Sequence, residues 1–436
     1  MQTIRRVAML SMHTCPLANL GGRDTGGMNV YVRELSRELA RRSIDVDVFT
    51  CLRYPGAPVI VQDIPHMRVI HVPAGPLGPV SRGVLYEHVP DFVSNIERFA
   101  GEEGLQYDLI HAHYWLSGLA GLLLRRDWNV PLITMFHTLA RVKSEHMQAL
   151  ASSDDVLRGY SEQRVMTGSD RIVAANTTER EHMVKHYQVA PSKITISPLG
   201  VDPVLFAPQD QQRCKEQLGL GNKKVVFSLG RFEPLKGLDI FLKAAGRLVH
   251  DYGWSKDQLC VIVGGGPSEE TDVISVEERD RLHALAADLG IADAVRFVGP
   301  LDQQRLPAYY GAADVCVVPS HYESFGLVAI EAMACGTPVV ATNVGGLALT
   351  VQDGENGFLA AVRDDRSFAE QINRILVNPA LQQRLGKQAA ISARQYRWSA
   401  VAARILDIYG SVGYTSHSRR QPVSPPAMSL CASCSV

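Results

Sequence analysis

The stretch Ser320–Thr342, SHYESFGLVAIEAMACGTPVVAT, constrains this chain most. Just before it, Asp314–Val318 is a short apolar run with β-branched residues and reads as a buried strand. Pro319 and a polar turn carrying Glu323 follow. Phe325–Ala334 then has helical spacing, with Leu327, Ile330, Met333 and Ala334 on one side. Cys335-Gly336 ends that helix, Pro338 blocks its extension, and Val339–Ala341 is the next strand. Glu323 therefore sits at the mouth of a strand–helix turn. The amides of Ser324, Phe325, Gly326 and Leu327 are expected to form a helix N-terminus, where free N–H groups and the helix dipole attract an anion. Glu331 lies about two helical turns further in. A carboxylate on a mostly apolar helix face needs a partner, and the paired hydroxyls of a ribose suit it. Taken alone, the same residues serve equally well as surface acids of an ordinary α/β unit.

A chain of 436 residues is long enough for two α/β domains. With 44 basic and 45 acidic residues the net charge is −1, which argues against a general nucleic-acid binder but allows a local basic site. Cys260, Cys316 and Cys335 lie in or beside apolar runs and read as buried thiols of a reducing compartment. Cys431-x-x-Cys434 is a lone pair in a Ser- and Pro-rich tail and carries no metal or redox signal. The apolar run Val7–Met12 is too short for a signal peptide, and no run reaches transmembrane length. A cytoplasmic location is expected.

In chain order, Val7–Met12 reads as a strand, His13–Gly27 as a glycine-rich loop, Asn29–Arg41 as an amphipathic helix and Ile44–Thr50 as a second strand. The loop holds Gly21-Gly22 and Gly26-Gly27 but no G-x-G-x-x-G. Its paired glycines allow close backbone approach to a ligand. Asp45-Val-Asp47 spells D-x-D, yet it falls at the start of a strand and reads as structural. Further strands are expected at Met67–Val72, Leu109–Ala112, Leu132–Met135, Arg171–Ala174 and Ile194–Ile196, with a helix at Tyr86–Phe99. Alternating strands and helices imply a parallel, doubly wound sheet whose ligands sit beyond the C-terminal strand ends. His111, His113, Tyr114, His137 and Thr138 fall at such ends. The three histidines lack a carboxylate at ligand spacing, so metal binding is not expected. His137 is the best site candidate.

Pro198–Pro208 reads as a linker, after which a second α/β series begins. Its strands are Lys224–Leu229, Gln258–Val263 and Val295–Val298, and its helices Leu238–Val249, Arg281–Leu289 and Leu306–Ala313 precede the opening stretch. Gln371–Leu376, Pro379–Arg394 and Trp398–Tyr409 are helical. Thr415–Val436 has the composition of a disordered tail. Arg231 and Lys236 flank a loop just past a strand end, where guanidinium and ammonium could neutralise a diphosphate together with the Ser324–Leu327 amides.

The motifs Gly26-Gly-Met-Asn29, His111-x-His-Tyr-Trp-Leu-Ser-Gly118, His137-Thr-Leu-Ala140, Gly230-Arg-x-x-Pro-Leu-Lys236 and Glu323-x7-Glu331 together resemble the retaining family 4 glycosyltransferases. The resemblance covers residue 5 to about residue 412. It implies an α/β GT-B fold, with two Rossmann-like doubly wound domains facing across a cleft. Residues 1–200 would form an acceptor-binding domain, 201–395 a nucleotide-sugar domain, 396–414 a helix crossing back, and 415–436 the disordered tail.

The resemblance also implies roles. The donor would be a UDP-sugar, UDP-glucose or UDP-N-acetylglucosamine, used without metal or other cofactor. Arg231, Lys236, Gly26, Gly27 and the Ser324, Phe325, Gly326 and Leu327 amides would meet its diphosphate. Glu331 would hold the ribose, and Glu323 and His137 the sugar. Asn29, Arg82, Tyr114, Thr138 and Arg158 would bind a small phosphorylated acceptor, Arg82 standing where the family usually has Lys. The motif wording is closest to inositol-phosphate N-acetylglucosaminyltransferases, with sucrose-phosphate synthases next. A nucleotide-sugar epimerase or hydrolase of the same fold, or a non-catalytic sugar-nucleotide sensor, are the competing readings. No nucleic acid or membrane span is expected, and a homodimer is left open.

Overall fold

The computed structural model describes residues 4–18, 26–147, 153–266 and 273–412. The expected tail at 415–436, with Cys431 and Cys434, lies outside these residues, as do Gly21 and Gly22.

The first half of the chain forms strands β1 (Arg6–Leu10), β2 (Asp45–Cys51), β3 (Ile60–Ile64), β4 (Met67–Val72), β5 (Leu109–His113), β6 (Leu132–Met135), β7 (Arg171–Ala174) and β8 (Ile194–Ile196). Between them run helices α1 (Gly27–Ala40), α2 (Arg82–Glu87), α3 (Val89–Glu102), α4 (Tyr114–Trp128), α5 (Ala140–Met147), α6 (Ser153–Gly168) and α7 (Thr177–Tyr187). The sheet order is β3-β4-β2-β1-β5-β6-β7-β8. All neighbours are parallel except the edge pair β3–β4, so this sheet is mixed where the sequence implied a purely parallel one. β3 itself was not expected: its polar centre, Gln62-Asp63, hides a half-exposed edge strand.

The second half forms β9 (Lys224–Leu229), β10 (Leu259–Gly264), β11 (Val295–Gly299), β12 (Val315–Val318), β13 (Val339–Thr342) and β14 (Gly357–Ala360). The sheet order is β11-β10-β9-β12-β13-β14, all parallel. Its helices are α8 (Gln211–Gln217), α9 (Leu238–His250), α10 (Val273–Asp288), α11 (Leu306–Ala312), α12 (Leu327–Ala334), α13 (Leu347–Thr350), α14 (Asp365–Leu376) and α15 (Pro379–Ala393). Helix α16 (Trp398–Ser411) ends the described chain.

Two expectations are corrected by local chemistry. The single helix Tyr86–Phe99 is two helices that meet at His88. Pro90 lies in the first turn of α3, where its missing N–H leaves no helical bond unmade. The helix expected from Phe325 begins at Leu327, because Gly326 caps it in a left-handed conformation, φ 93°.

Each sheet reverses its winding at one place, between β1 and β5 in the first and between β9 and β12 in the second. Crevices at such reversals, beyond the C-terminal strand ends, are where open α/β sheets bind ligands. The two crevices face one another. A Cβ on Gly27 would lie 3.0 Å from Leu327 Cδ1, and Asn176, the cap of α7, donates through Nδ2 to the Ser324 carbonyl. Tyr322 of the second half packs into the core of the first. Helix α16 returns to the first half and lies on α1. There Trp398 meets Tyr31 edge-on at 5.6 Å, and the Tyr409 hydroxyl is 2.9 Å from His111 Nδ1.

Asp45-x-Asp47 sits at the N-terminal end of β2, away from the crevices. Asp47 is buried and takes hydrogen bonds from Arg6, Arg68 and Tyr107, while Asp45 pairs with Arg6 and His66. The structural reading of this motif matches that ion-pair network.

Candidate active site

The first wall of the cleft is made where β5 and β6 end. Tyr114 (φ 75°) and His137 (φ 62°) both adopt left-handed backbone, which is costly for non-glycine residues and concentrates at functional sites. At His137 the Thr138 amide donates 2.7 Å back to the Phe136 carbonyl, closing a three-residue turn around the imidazole. His137 Nε2 lies 3.0 Å from His113 Nδ1, and burial pushes the His137 pKa down to about 3, so the ring is neutral. His111 is held by Tyr409, and His113 Nε2 lies 2.9 Å from the Met9 sulfur.

Tyr114 is the floor of a cationic pocket. The Arg158 guanidinium lies 4.8 Å from its ring centroid and that of Arg82 lies 5.9 Å away. Arg158 Nη2 donates to the Thr138 carbonyl at 2.7 Å and to the Thr138 hydroxyl at 2.9 Å. Two residues that the sequence did not single out join them. His13 packs on Tyr114 with ring centroids 4.5 Å apart. Its pKa is held well below the ordinary range by burial and by the nearby Arg82 charge. Lys143, half-buried in α5, has its pKa lowered by burial and by Arg158. Arg82, Lys143 and Arg158 thus converge on one pocket, an arrangement that an anion stabilises. Lys143 belongs to a short polar helix with no periodic signal, which is why the sequence concealed it.

Asn29 was expected to meet the acceptor. Both hydrogens of its amide are already engaged, with the Thr14 hydroxyl and the Cys15 carbonyl at 2.7 Å each, and its oxygen accepts from the Gly26 amide at 3.0 Å. It shapes the Gly26 loop at the start of α1 rather than offering a free donor to the pocket.

The opposite wall comes from the loops after β9 and β12. The Gly230–Gly237 loop ends in a short 3-10 turn at Pro234–Lys236, followed by Gly237 with φ 64°. A Cβ on Gly237 would lie 2.1 Å from the Pro319 carbonyl oxygen, so only glycine lets the two loops close on each other. The His321 amide then donates to the Leu235 carbonyl at 2.8 Å, and Lys236 Nζ reaches Glu323 Oε2 at 2.7 Å. Arg231 Nη1 pairs with Glu233 at 2.9 Å.

Ser324 and Phe325 precede α12 and are not part of its N-terminus. Ala329 is the first residue whose amide closes on the Gly326 carbonyl, so the Leu327 and Val328 amides have no acceptor within the helix, and among the described residues the Ser324, Phe325 and Gly326 amides before it have none either. Further along α12, Glu331 is buried. Its partner within the protein is Tyr310, whose hydroxyl donates to Oε2 at 2.9 Å. Burial pushes Glu331 up to about 7, against the pull of that hydrogen bond. Among the described residues no group of three His, Cys, Asp or Glu side chains is placed to hold a metal ion. Nor is any described helix long and apolar enough to cross a membrane.

The cleft therefore offers cations and open amides on one wall, and a second cationic pocket with a neutral histidine on the other. Both halves of the chain match known protein families. Residues 25–205 match the model of Glycosyltransferase Family 4, and residues 210–391 match Glycosyl transferases group 1. The chain is 44% identical to D-inositol 3-phosphate glycosyltransferase 2 of Catenulispora acidiphila, covering 93% of this chain and 94% of the relative. It is 41% identical to the D-inositol 3-phosphate glycosyltransferase of Acidothermus cellulolyticus, covering 93% and 90%. Among solved structures, the sucrose-phosphate synthase of Thermosynechococcus elongatus superposes with a TM-score of 0.84 at 34% identity, over 93% of this chain and 98% of that one. Anabaena HepE, solved with UDP and glucose, shares the fold with a TM-score of 0.72 at 21% identity, over 94% and 100%. The chain is a glycosyltransferase of family 4, built on the GT-B fold.

Proposed function

We propose that this enzyme moves a glucosyl-type sugar from a UDP-sugar to a small phosphorylated acceptor, with retention of anomeric configuration and without a metal ion. The donor is UDP-N-acetylglucosamine or UDP-glucose, and the first candidate acceptor is an inositol phosphate. The observation that carries this reading is the Arg158 guanidinium, fixed on Thr138 above the Tyr114 ring with Arg82 and Lys143 beside it. A pocket of three cations against an aromatic floor fits an acceptor that carries phosphate. The names of the relatives at 41–44% identity support inositol phosphate.

On the opposite wall Arg231, Lys236 and the open amides of α12 face the donor diphosphate, where negative charge grows as the sugar leaves. Glu331 Oε1, the oxygen that Tyr310 does not use, takes a ribose hydroxyl. Glu323 and His137 grip the sugar, His137 as a neutral ring. The cationic groups of the protein supply the charge that a metal would otherwise bring, so turnover should survive a chelator. Among the described residues no carboxylate stands out as a nucleophile for a covalent intermediate. The acceptor hydroxyl attacks on the face that the diphosphate leaves, and the departing phosphate takes its proton. A trapped sugar–enzyme adduct would overturn that route.

A second reading, fructose 6-phosphate as acceptor, is supported by the likeness to a sucrose-phosphate synthase. The test is UDP release from each donor with inositol phosphate and with fructose 6-phosphate, against the unphosphorylated alcohols. Release with inositol phosphate alone supports the first reading, and release with fructose 6-phosphate the second. Equal release with unphosphorylated acceptors overturns the acceptor-phosphate assignment.

A further inference from the structure

Glu162 lies on α6 one turn after Arg158 and is fully buried. A buried carboxylate must be matched by donors, and this one has three from three different elements. Oε1 accepts from Arg158 Nε at 2.7 Å. Oε2 accepts from the Ala140 amide, the first residue of α5, at 3.0 Å. Oε2 also accepts from the Tyr187 hydroxyl at the end of α7. Tyr187 in turn accepts from the Arg141 amide at 3.1 Å, so two open amides of α5 are capped from outside the helix.

The consequence falls on Arg158. Its Nε is spent on Glu162 and its Nη2 on Thr138, two residues before α5 begins. Among the described residues, Nη1 has no partner. The guanidinium plane is therefore fixed at two corners and backed by the Tyr114 ring, and one nitrogen is left to offer.

We propose that Glu162, which touches no substrate, is the positioning residue of the acceptor-phosphate pocket: it locks Arg158 and the start of α5 in register so that Nη1 meets the phosphate. This assignment rests on the acceptor-phosphate reading above. Glu162→Gln isolates it, because glutamine keeps the shape but turns one oxygen into an N–H donor. Placed at Oε1, that donor opposes Arg158 Nε. Placed at Oε2, it opposes the Ala140 amide.

The experiment compares wild type, Glu162→Gln and Glu162→Asp. It measures KM for inositol phosphate, KM for the UDP-sugar, slow UDP-sugar hydrolysis without acceptor, and competitive inhibition by inorganic phosphate. In Glu162→Gln the acceptor KM should rise about tenfold or more, with inhibition by phosphate weakened to match. Donor KM and acceptor-free hydrolysis should stay within about twofold, and Glu162→Asp should recover part of the loss. An unchanged acceptor KM in Glu162→Gln overturns the assignment, as does a loss shared equally by all four readouts. Should Glu162→Gln not fold, Tyr187→Phe removes one donor to the same carboxylate. It should raise the acceptor KM by a smaller factor, and no rise overturns the assignment. If wild type neither prefers a phosphorylated acceptor nor is inhibited by phosphate, the acceptor-phosphate reading fails and Glu162 fails with it. A wild type that passes both checks beside a Glu162→Gln that matches it sinks the positioning role alone.

Discussion

Lys236 Nζ stands 2.7 Å from Glu323 Oε2 and ties the loop after β9 to the turn that leads into α12. Both side chains keep some access to solvent, so the pair contributes little to stability, about 1 kcal/mol at most. Its geometry suits chemistry better: the ammonium is held at the cleft by a carboxylate that the proposed function assigns to the donor sugar. Lys236→Ala should lower kcat/KM for the UDP-sugar by about 100-fold or more, while the melting temperature moves by only a few degrees. Steady-state kinetics beside a thermal melt checks both halves. A variant with full activity would show that this lysine is not at the diphosphate.

Gly26 separates a requirement of the fold from a requirement of the ligand. Its backbone is extended, φ 177°, and a Cβ there would meet nothing within 4 Å. Gly26→Ala should therefore fold with stability within about 0.5 kcal/mol of wild type. If the diphosphate passes over this backbone, the added methyl obstructs it and donor KM rises about tenfold. Unfolding curves and donor KM for the same preparation decide the matter. An unchanged KM removes Gly26 from the donor site.

The sequence made the two α/β series, most strands and the strand-end positions of the site readable, because buried parallel strands are short β-branched runs bounded by turns. It failed where burial or polarity removes the periodic signal. Helix α4 is buried from Tyr114 through Gly121, so it has no polar face to betray it. Helix α5 is short and polar, and Lys143 was hidden with it. The E-x7-E spacing located Glu331 correctly on its helix but not its hydroxyl partner, because Tyr310 comes from α11, a separate element. The start of α12 was misplaced by two residues because Gly326 was read as helical rather than as a left-handed cap. Contacts between distant elements, such as Glu162 with Ala140 and Tyr187, leave no spacing to read at all.

Tyr409 carries the return of α16 to the first domain. Its hydroxyl is the described partner of the fully buried His111 Nδ1, and His111 Nε2 has none among the described residues. Tyr409→Phe would leave that imidazole without a hydrogen bond on either nitrogen, a cost of about 1–3 kcal/mol. Chemical denaturation should show a midpoint shift of that size. Donor KM should hardly change, because His111 lies behind His113 rather than at the cleft surface. A stability equal to wild type would mean that α16 docks through its apolar face alone.

Glu331 should make stability and donor binding respond to pH in opposite directions. Burial raises its pKa from the ordinary 4.5 to about 7, so the folded protein holds this proton more tightly than the unfolded chain does. The stability it contributes is full below pH 4.5 and is lost as pH rises through about 7. The gap of about 2.5 units sets an upper bound of about 3 kcal/mol. Glu331→Gln removes this ionisation, so the stability difference, wild type minus variant, should fall between pH 5 and 7.5, as read by urea unfolding at several pH values. A ribose hydroxyl donating to Oε1 favours the carboxylate, so donor affinity should instead rise with pH and level off above about 7. A UDP-sugar is the right probe because its diphosphate diester does not titrate in this range. Calorimetry at pH 6 and pH 8 should show binding tighter at pH 8 by up to about tenfold in wild type, and weaker and pH-independent in Glu331→Gln. If wild-type affinity is flat with pH while the stability difference still falls, Glu331 is a buried acid paired with Tyr310 and the ribose lies elsewhere.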